Sequence, residues 1–357
     1  MTFGALLERL QQRDAAALQY DESGLQEELK QTGEKTYPLI ARVVIVLGAW
    51  FGAGLLSSFL ILFLLKGEEP TMLAAGVIFI ICSLLLPRAK VMPVALEPFA
   101  LALSVIGIGL TMTGLDYDLE GSEAPHNLIV AFIELIIVLF TVSRVQRAVG
   151  VFGFFSFLAL YFYANLESPA LVMALILVCA LLIAWLHLKE AHILSRDKGL
   201  IRFYQPVLSG LCFALPMLLL YTAFRKSLFH HDEDFIGWWP IGVVLALLLL
   251  RMLYNVFRET CGFSGAKLIS LLLLAALALA PMVKAPGILG GLLLIVCGFS
   301  SGNRAASGLG LLSLIVYSVI FYYTMETTLL VKSILMLVSG ALLLIAALVF
   351  NHLNKQS

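Results

Sequence analysis

The sequence predicts an all-α fold, a polytopic bundle of transmembrane helices. Of its 357 residues, 61% are hydrophobic and only 13% are charged, whereas soluble domains are roughly 45–50% apolar and about 25% charged. The mean hydropathy is +0.99. Long apolar stretches recur along the chain, and the polar gaps between them alternate between basic and acidic. A soluble globule could not bury this much apolar surface, whereas a bilayer solvates it.

Twelve apolar stretches are the predicted spans. A bilayer core of about 30 Å requires roughly 20 helical residues, with about 17–25 typical. A count of ten or eleven also fits, because the stretches at 128–143 and 287–300 are short. The predicted spans are 39–65, 71–87, 94–115, 128–143, 150–166, 170–188, 206–224, 238–257, 266–283, 287–300, 308–325 and 332–350.

The charges of the gaps predict the orientation. Gaps after even-numbered spans are basic, as at Arg88 and Lys90 or from Lys189 to Arg202, and the intervening gaps are acidic, as from Asp116 to Glu123. Cytoplasmic loops of membrane proteins retain Lys and Arg. We therefore expect the basic gaps and both termini to lie in the cytoplasm.

The chain divides by composition into three parts. Residues 1–37 are polar and mixed in charge, with leucines at helical spacing, and we expect a cytoplasmic segment that either rests against the loops or docks a partner. Residues 38–350 form the transmembrane domain, and 351–357 form a cytoplasmic tail. No apolar core lies near Met1, so the first span is expected to act as an uncleaved anchor.

A possible internal repeat links residues 146–167 with 303–326. Each segment has an arginine (Arg147; Arg304), two glycines, an aromatic triplet and then an acid. Two explanations fit: six-helix halves at 38–190 and 200–350 related in parallel, as in some transporters, or chance likeness between leucine-rich helices.

Three ionisable residues are candidates for an intramembrane polar site. Glu134 lies in the middle of a predicted span, where an ionised carboxylate costs about 3 kcal/mol on insertion scales. It is either a proton or cation site or a structural hydrogen-bonding group. Glu97, beside Pro98, either starts a helix or lies deeper and pairs with Glu134. Arg251 either extends to the headgroups or is a counter-ion for one of these acids.

Several kinds of function are not indicated. No basic patch is interleaved with aromatic residues, so we expect no nucleic-acid partner. The tract from His230 to Asp234 contains ligand residue types, but adjacent histidines do not share a helix face, and we expect no metal site and no cofactor. No nucleophile–base motif is evident, which disfavours an enzyme, although an enzyme acting on a lipid-linked substrate stays as a third hypothesis.

The C-terminal region carries the most recognisable motifs. Gly302-Asn303-Arg304 is typical of a tight turn, since Gly and Asn tolerate positive φ. Tyr322 and Tyr323 suit the headgroup level. Glu326 and Lys332 bracket the external end of the last hairpin. They do not meet on one helix face, so a loop would have to join them, or Lys332 would bind an acidic group of a partner.

The C-terminal region also contains the paired glycines Gly308 and Gly310 and a Thr-Leu-Leu-x-Lys-Ser run from Thr328 to Ser333. These two features, the Gly302-Asn303-Arg304 turn, the two tyrosines and Leu47-Gly48-Ala49-Trp50 resemble a bacterial membrane family described as domain of unknown function 4401. The resemblance covers residues from about 35 to 350 and implies a multi-pass protein of the bacterial inner membrane. It implies no catalytic residues. It suggests a partner of the GDYXXLXY type, which favours a non-enzymatic component of an envelope complex. The alternative is a secondary, proton-coupled transporter that uses Glu134.

Overall fold

All regular structure that the computed structural model describes is helical, which confirms the all-α part of the predicted fold class. The described residues are 39–59, 69–88, 93–118, 126–190, 193, 198–223, 239–260, 265–324, 330, 333 and 337. In these ranges the α-helices are α1 Leu39–Phe59, α2 Glu69–Leu85, α3 Pro93–Asp118, α4 His126–Phe140, α5 Arg144–Ala164, α6 Pro169–Leu188, α7 Lys198–Ala223, α8 Trp239–Asn255, α9 Ala266–Leu279, α10 Pro286–Ser300 and α11 Arg304–Thr324.

Each predicted span up to 308–325 overlaps one of these helices. Helices α5, α7 and α11 begin earlier than the apolar stretches, at Arg144, Lys198 and Arg304. The reason is that apolar composition marks the part of a helix inside lipid, whereas the helix itself continues into the polar gap. The predicted span 332–350, the segment 1–37 and the tail 351–357 lie outside the described residues, apart from Ser333 and Leu337.

Several helices are suited to a bilayer by length and composition. Seven described segments are long and apolar enough to cross it: Thr71–Arg88, Leu96–Leu115, Arg144–Ala164, Pro169–Leu188, Phe203–Thr222, Trp239–Arg258 and Arg304–Tyr323. They indicate a multi-pass membrane protein. The helices α4 and α10 have 15 residues each, and at 1.5 Å per residue such a helix is about 22 Å long, which is less than the hydrocarbon core. The count of twelve spans therefore stays a prediction.

The described chain divides into two compact units, Met1–Gly48 and Ala49–Ser357. Every contact described below lies within the second unit. Its main core is built around α7, which packs against α5, α6, α10 and α11. Leu215, Leu219 and Leu293 are fully buried there, and so are the thiols of Cys179 and Cys297.

Glycines bring neighbouring helices close together in this unit. Between α2 and α3, a Cβ added to Gly107 would lie 2.9 Å from the Gly76 oxygen, so the two backbones touch. Helices α10 and α11 approach in the same way at Gly291 and Gly310. The short turn between α10 and α11 depends on Gly302, whose φ is +67°, a conformation that glycine adopts without steric cost.

Candidate functional site

Glu134 lies buried on α4, at 5% exposure, against the glycine face of α5. A Cβ on Gly153 would lie 2.7 Å from the Glu134 Cδ atom, and a Cβ on Gly150 would lie 3.4 Å from its Oε2 atom. No other residue type would leave this space. The absence of two side chains on α5 therefore makes room for one carboxyl group on α4.

The surroundings of this carboxyl offer no compensating charge. Among the residues that the structure describes, no basic side chain forms an ion pair with Glu134, and the carboxyl makes no hydrogen bond to another helix. Burying an ionised carboxylate without a cation is costly, and such a group becomes neutral instead. The neutral acid is therefore the form that this position favours.

Arg147 closes one end of the α4–α5 hairpin. Its Nε atom donates to the Val138 oxygen at 3.0 Å, and its Nη2 atom donates to the Thr141 oxygen. Its guanidinium stacks 3.9 Å from the centre of the Phe203 ring on α7. The last carbonyls of a helix lack partners within the helix, so a buried cation there satisfies them and complements the helix dipole.

A polar cluster continues from this end toward α2. Thr141 donates to the Gln146 side chain at 2.7 Å, and Gln146 donates to Ser83 of α2 at 3.1 Å. Gln146 and Ser83 are almost fully buried. This cluster was not predicted. The signal was present, since Gln146 and Arg147 lie within four residues of the end of the predicted span 128–143.

Beyond Glu134 the same face of α5 carries Ser156, three residues after Gly153 and therefore on the same side of the helix. Its hydroxyl is buried and has no hydrogen-bond partner within the described part of the chain. Arg147, the glycines against Glu134 and Ser156 thus follow one another along the axis of α5, although Ser156 comes about two and a half turns after Arg147 and so lies on the opposite side of the helix. Polar groups follow one another along the hairpin from its turn toward its open end.

The other candidate residues lie in different surroundings. Glu97 is exposed on α3, which begins at Pro93, so Pro98 lies inside the helix rather than at its start. Arg251 is exposed on α8, with its guanidinium carbon 5.4 Å from the centre of the Tyr254 ring. In the described ranges no ion pair links Arg251 to Glu134. Glu134 is the buried member of the three.

The Gly302-Asn303-Arg304 segment joins α10 to α11. The Asn303 Oδ1 atom accepts hydrogen bonds from the Ala305 and Ala306 N–H groups at 3.1 and 3.3 Å, which caps α11. Arg304 is exposed and lines an open pocket together with Glu190 and Tyr204. Tyr322 and Tyr323 lie at the end of α11 with their rings perpendicular. Glu326 and Lys332 lie outside the described residues.

The motifs of this turn and of α11 are part of the sequence resemblance to a known family. Comparison of the whole chain with family models establishes which family it is. Residues 38–353 match the family described as Domain of unknown function (DUF4401). The chain belongs to this family. No curated protein and no solved structure matches it. Membership in DUF4401 assigns no activity and no functional residues, so only the geometry of the site indicates what it can do.

The two segments of the internal repeat that the sequence suggests, residues 146–167 and 303–326 of this DUF4401 chain, make different contacts. Arg147 is the buried fourth residue of α5, whereas Arg304 is the exposed first residue of α11. Gly150 and Gly153 both face Glu134, whereas Gly308 faces open space and Gly310 faces α10. Residues aligned by sequence therefore play different parts, and duplication of the two halves stays a prediction.

Metal ligands are not assembled in the described part of the DUF4401 chain, where no group of three His, Cys, Asp or Glu side chains could hold an ion. The tract from His230 to Asp234 lies outside that part.

Proposed function

We propose that this multi-pass protein moves protons across the membrane and that Glu134 carries them. The observation that supports the proposal is the burial of the Glu134 carboxyl against Gly150 and Gly153 without a basic partner among the described residues. Ionisable groups inside transmembrane segments are costly and commonly mark ion pathways and proton relays. A carboxyl that is neutral at rest is suited to releasing a proton when its surroundings change.

The polar groups of the hairpin supply the two ends of a route. Gln146 and Arg147 lie near the turn, about two helical turns from the level of Glu134, and Ser156 lies on the other side of it. The charge pattern of the gaps predicts that the turn faces the cytoplasm. In this arrangement protons reach Glu134 past Ser156 and leave past Gln146, or the reverse.

A purely structural role for Glu134 would be a hydrogen bond that joins two helices. The carboxyl makes no such bond in the described part of the chain. It packs instead against Gly150 and Gly153 of α5, where no side chain is present to bond to it. This difference favours the proton-carrying role over the structural one.

Proton flux in proteoliposomes tests the proposal. The interior would hold a pH-sensitive dye, potassium and valinomycin would clamp the potential, and an acid pulse would be applied outside. We expect the wild type to acidify the interior faster than protein-free liposomes, and Glu134→Gln to lose at least nine tenths of that rate. Glu97→Gln is the matched control, because it removes an exposed carboxyl. Equal rates for wild type and Glu134→Gln would contradict the proposal.

Assembly with an extracytoplasmic partner of the GDYXXLXY type, in the bacterial inner membrane, is a separate prediction. It follows from the sequence resemblance, and the acidic gap at residues 119–125 lies outside the described residues. Affinity purification from native membranes after mild crosslinking tests it. Recovery of the chain without any envelope protein would contradict it.

A further inference from the structure

An open pocket of about 590 Å³ lies where α6 ends, α7 begins and the turn before α11 passes. Ligand pockets of proteins commonly measure about 300–1,000 Å³, so a small molecule fits. The pocket is separate from Glu134, which lies on α4. The gap charges predict that it opens to the cytoplasm at the level of the lipid headgroups.

One wall of the pocket is acidic. The Glu190 side chain is about one-third exposed, and its Oε2 atom lies 4.0 Å from the Nδ1 atom of His187. Burial raises the pKa of Glu190, and the nearby Tyr204 hydroxyl opposes part of that rise. A carboxyl in this position gains from a cation that enters the pocket, because the cation restores the charged form that burial disfavours.

Another part of the pocket lining is basic. Arg304 is the first residue of α11 and is exposed at the pocket, where the helix N-terminus adds a partial positive charge. The Asn303 side chain already accepts from Ala305 and Ala306, so the guanidinium is the group that remains to bind an anion. Guanidinium groups recognise phosphate and carboxylate in a bidentate manner.

A buried hydroxyl also lines the pocket. Tyr204 is only 7% exposed, and its hydroxyl lies near enough to Glu190 to affect the pKa of that carboxyl. Buried polar groups favour hydrogen-bonded partners, so a polar molecule in the pocket can bond to the Tyr204 hydroxyl as well as to the two charged groups.

We infer that this pocket binds a small zwitterion, with its ammonium group at Glu190 and its acidic group at Arg304. The Tyr204 hydroxyl bonds to the polar centre of the molecule. Phosphoethanolamine has this chemistry and has two sources, the soluble compound and the headgroup of phosphatidylethanolamine. Both sources present the same two charges to the same two walls.

Calorimetric titration of the purified full-length protein in detergent tests the soluble source. The probes are O-phosphoethanolamine, ethanolamine and inorganic phosphate. We expect one site for O-phosphoethanolamine, with each half-molecule at least tenfold weaker. For the lipid source, the protein is placed in phosphatidylglycerol nanodiscs with or without phosphatidylethanolamine, and lipid retained after extraction is counted by native mass spectrometry. Binding in either arm supports the inference and identifies the source. Binding in neither arm overturns it.

Variants locate the site. Glu190→Gln and Arg304→Gln should each weaken binding at least tenfold, whereas the matched controls Glu167→Gln and Arg144→Gln, which change exposed residues elsewhere, should bind as wild type. Tyr204→Phe removes only one hydroxyl from the pocket lining, so it should fold normally and still weaken binding. Wild-type affinity in all three pocket variants, or equal affinity for inorganic phosphate and O-phosphoethanolamine, overturns the inference.

The inference is independent of the proposed proton route. Glu134→Gln should bind O-phosphoethanolamine with wild-type affinity, and Glu190→Gln should keep the proton flux. Each proposal can therefore fail without the other.

Discussion

Glycines lie between the two helices in both hairpins, α4–α5 and α10–α11, but they contact different groups in each. In α10–α11, glycine meets backbone: a Cβ on Gly310 would lie 2.9 Å from the Gly291 oxygen, and a Cβ on Gly291 would lie 2.9 Å from the Leu314 nitrogen. In α4–α5, glycine meets a carboxyl, because Gly150 and Gly153 face Glu134. The first contact leaves no space, and the second leaves space for an ionisable group. A glycine pair therefore acquires a functional meaning only from the residue opposite it.

The largest expected effect on folding lies in the tightly closed hairpin. Gly310→Ala places a methyl group 2.7 Å from the Ile295 backbone nitrogen, and neither backbone can move without opening the helix pair. We expect a loss of about 1–3 kcal/mol in the free energy of unfolding, as for other overpacked sites. Denaturant unfolding in detergent micelles, followed by circular dichroism, measures it.

Gly308→Ala is the control for this variant, because nothing lies within 4 Å of an added Cβ. Alanine exceeds glycine in helix propensity by about 0.8–1.0 kcal/mol in water-exposed helices, so Gly308→Ala should be neutral or stabilising. A Gly310→Ala protein as stable as Gly308→Ala would show that the two helices are not in backbone contact.

A smaller loss is expected at the turn of the other hairpin. Arg147→Gln removes the bonds to the Val138 and Thr141 oxygens, and unpartnered buried carbonyls cost about 1–3 kcal/mol before local rearrangement. Part of this free energy is recovered when water hydrogen-bonds to the exposed carbonyls at the turn. Arg144→Gln changes an exposed arginine in the same turn of α5 and should change stability by less than about 0.5 kcal/mol. Equal stability of the two variants would remove Arg147 from the closure of the hairpin.

The comparison also shows what a sequence can predict. The helices followed from apolar composition, since each stretch must satisfy its backbone hydrogen bonds in lipid. Glu134 was singled out because a carboxyl at that depth is costly, and the turn at Gly302-Asn303-Arg304 followed from local conformational preference. The contacts that the glycines make could not be predicted from the sequence. Gly150, Gly153, Gly308 and Gly310 look alike in sequence, and only packing between helices separates them.

The pocket at Glu190, Tyr204 and Arg304 could not be predicted for the same physical reason. Glu190 and Arg304 are far apart in the chain, and each is an ordinary charge in a polar gap. Their meeting depends on how α6, α7 and α11 pack, and periodicity within one helix carries no information on that. The buried Tyr204 hydroxyl is likewise visible only when its neighbours are known.

The variant with the smallest expected effect on stability, Gly153→Ala, gives the clearest distinction between the two hairpins. Gly153→Ala introduces a methyl group whose nearest neighbours are the Oε1, Cδ and Cγ atoms of Glu134, and this flexible side chain can give way more easily than a backbone. We therefore expect a change in the free energy of unfolding below about 1 kcal/mol, with the gain in helix propensity offsetting the displaced carboxyl. The proton flux should nevertheless fall severalfold, because the carboxyl no longer occupies its place. Gly310→Ala should show the opposite pattern, lower stability with its flux per folded molecule retained. Suppose that Gly153→Ala lowers the free energy of unfolding as much as Gly310→Ala and leaves the flux per folded molecule unchanged. The glycines of α5 would then serve only helix packing, and their contact with Glu134 would not support its role as the proton carrier.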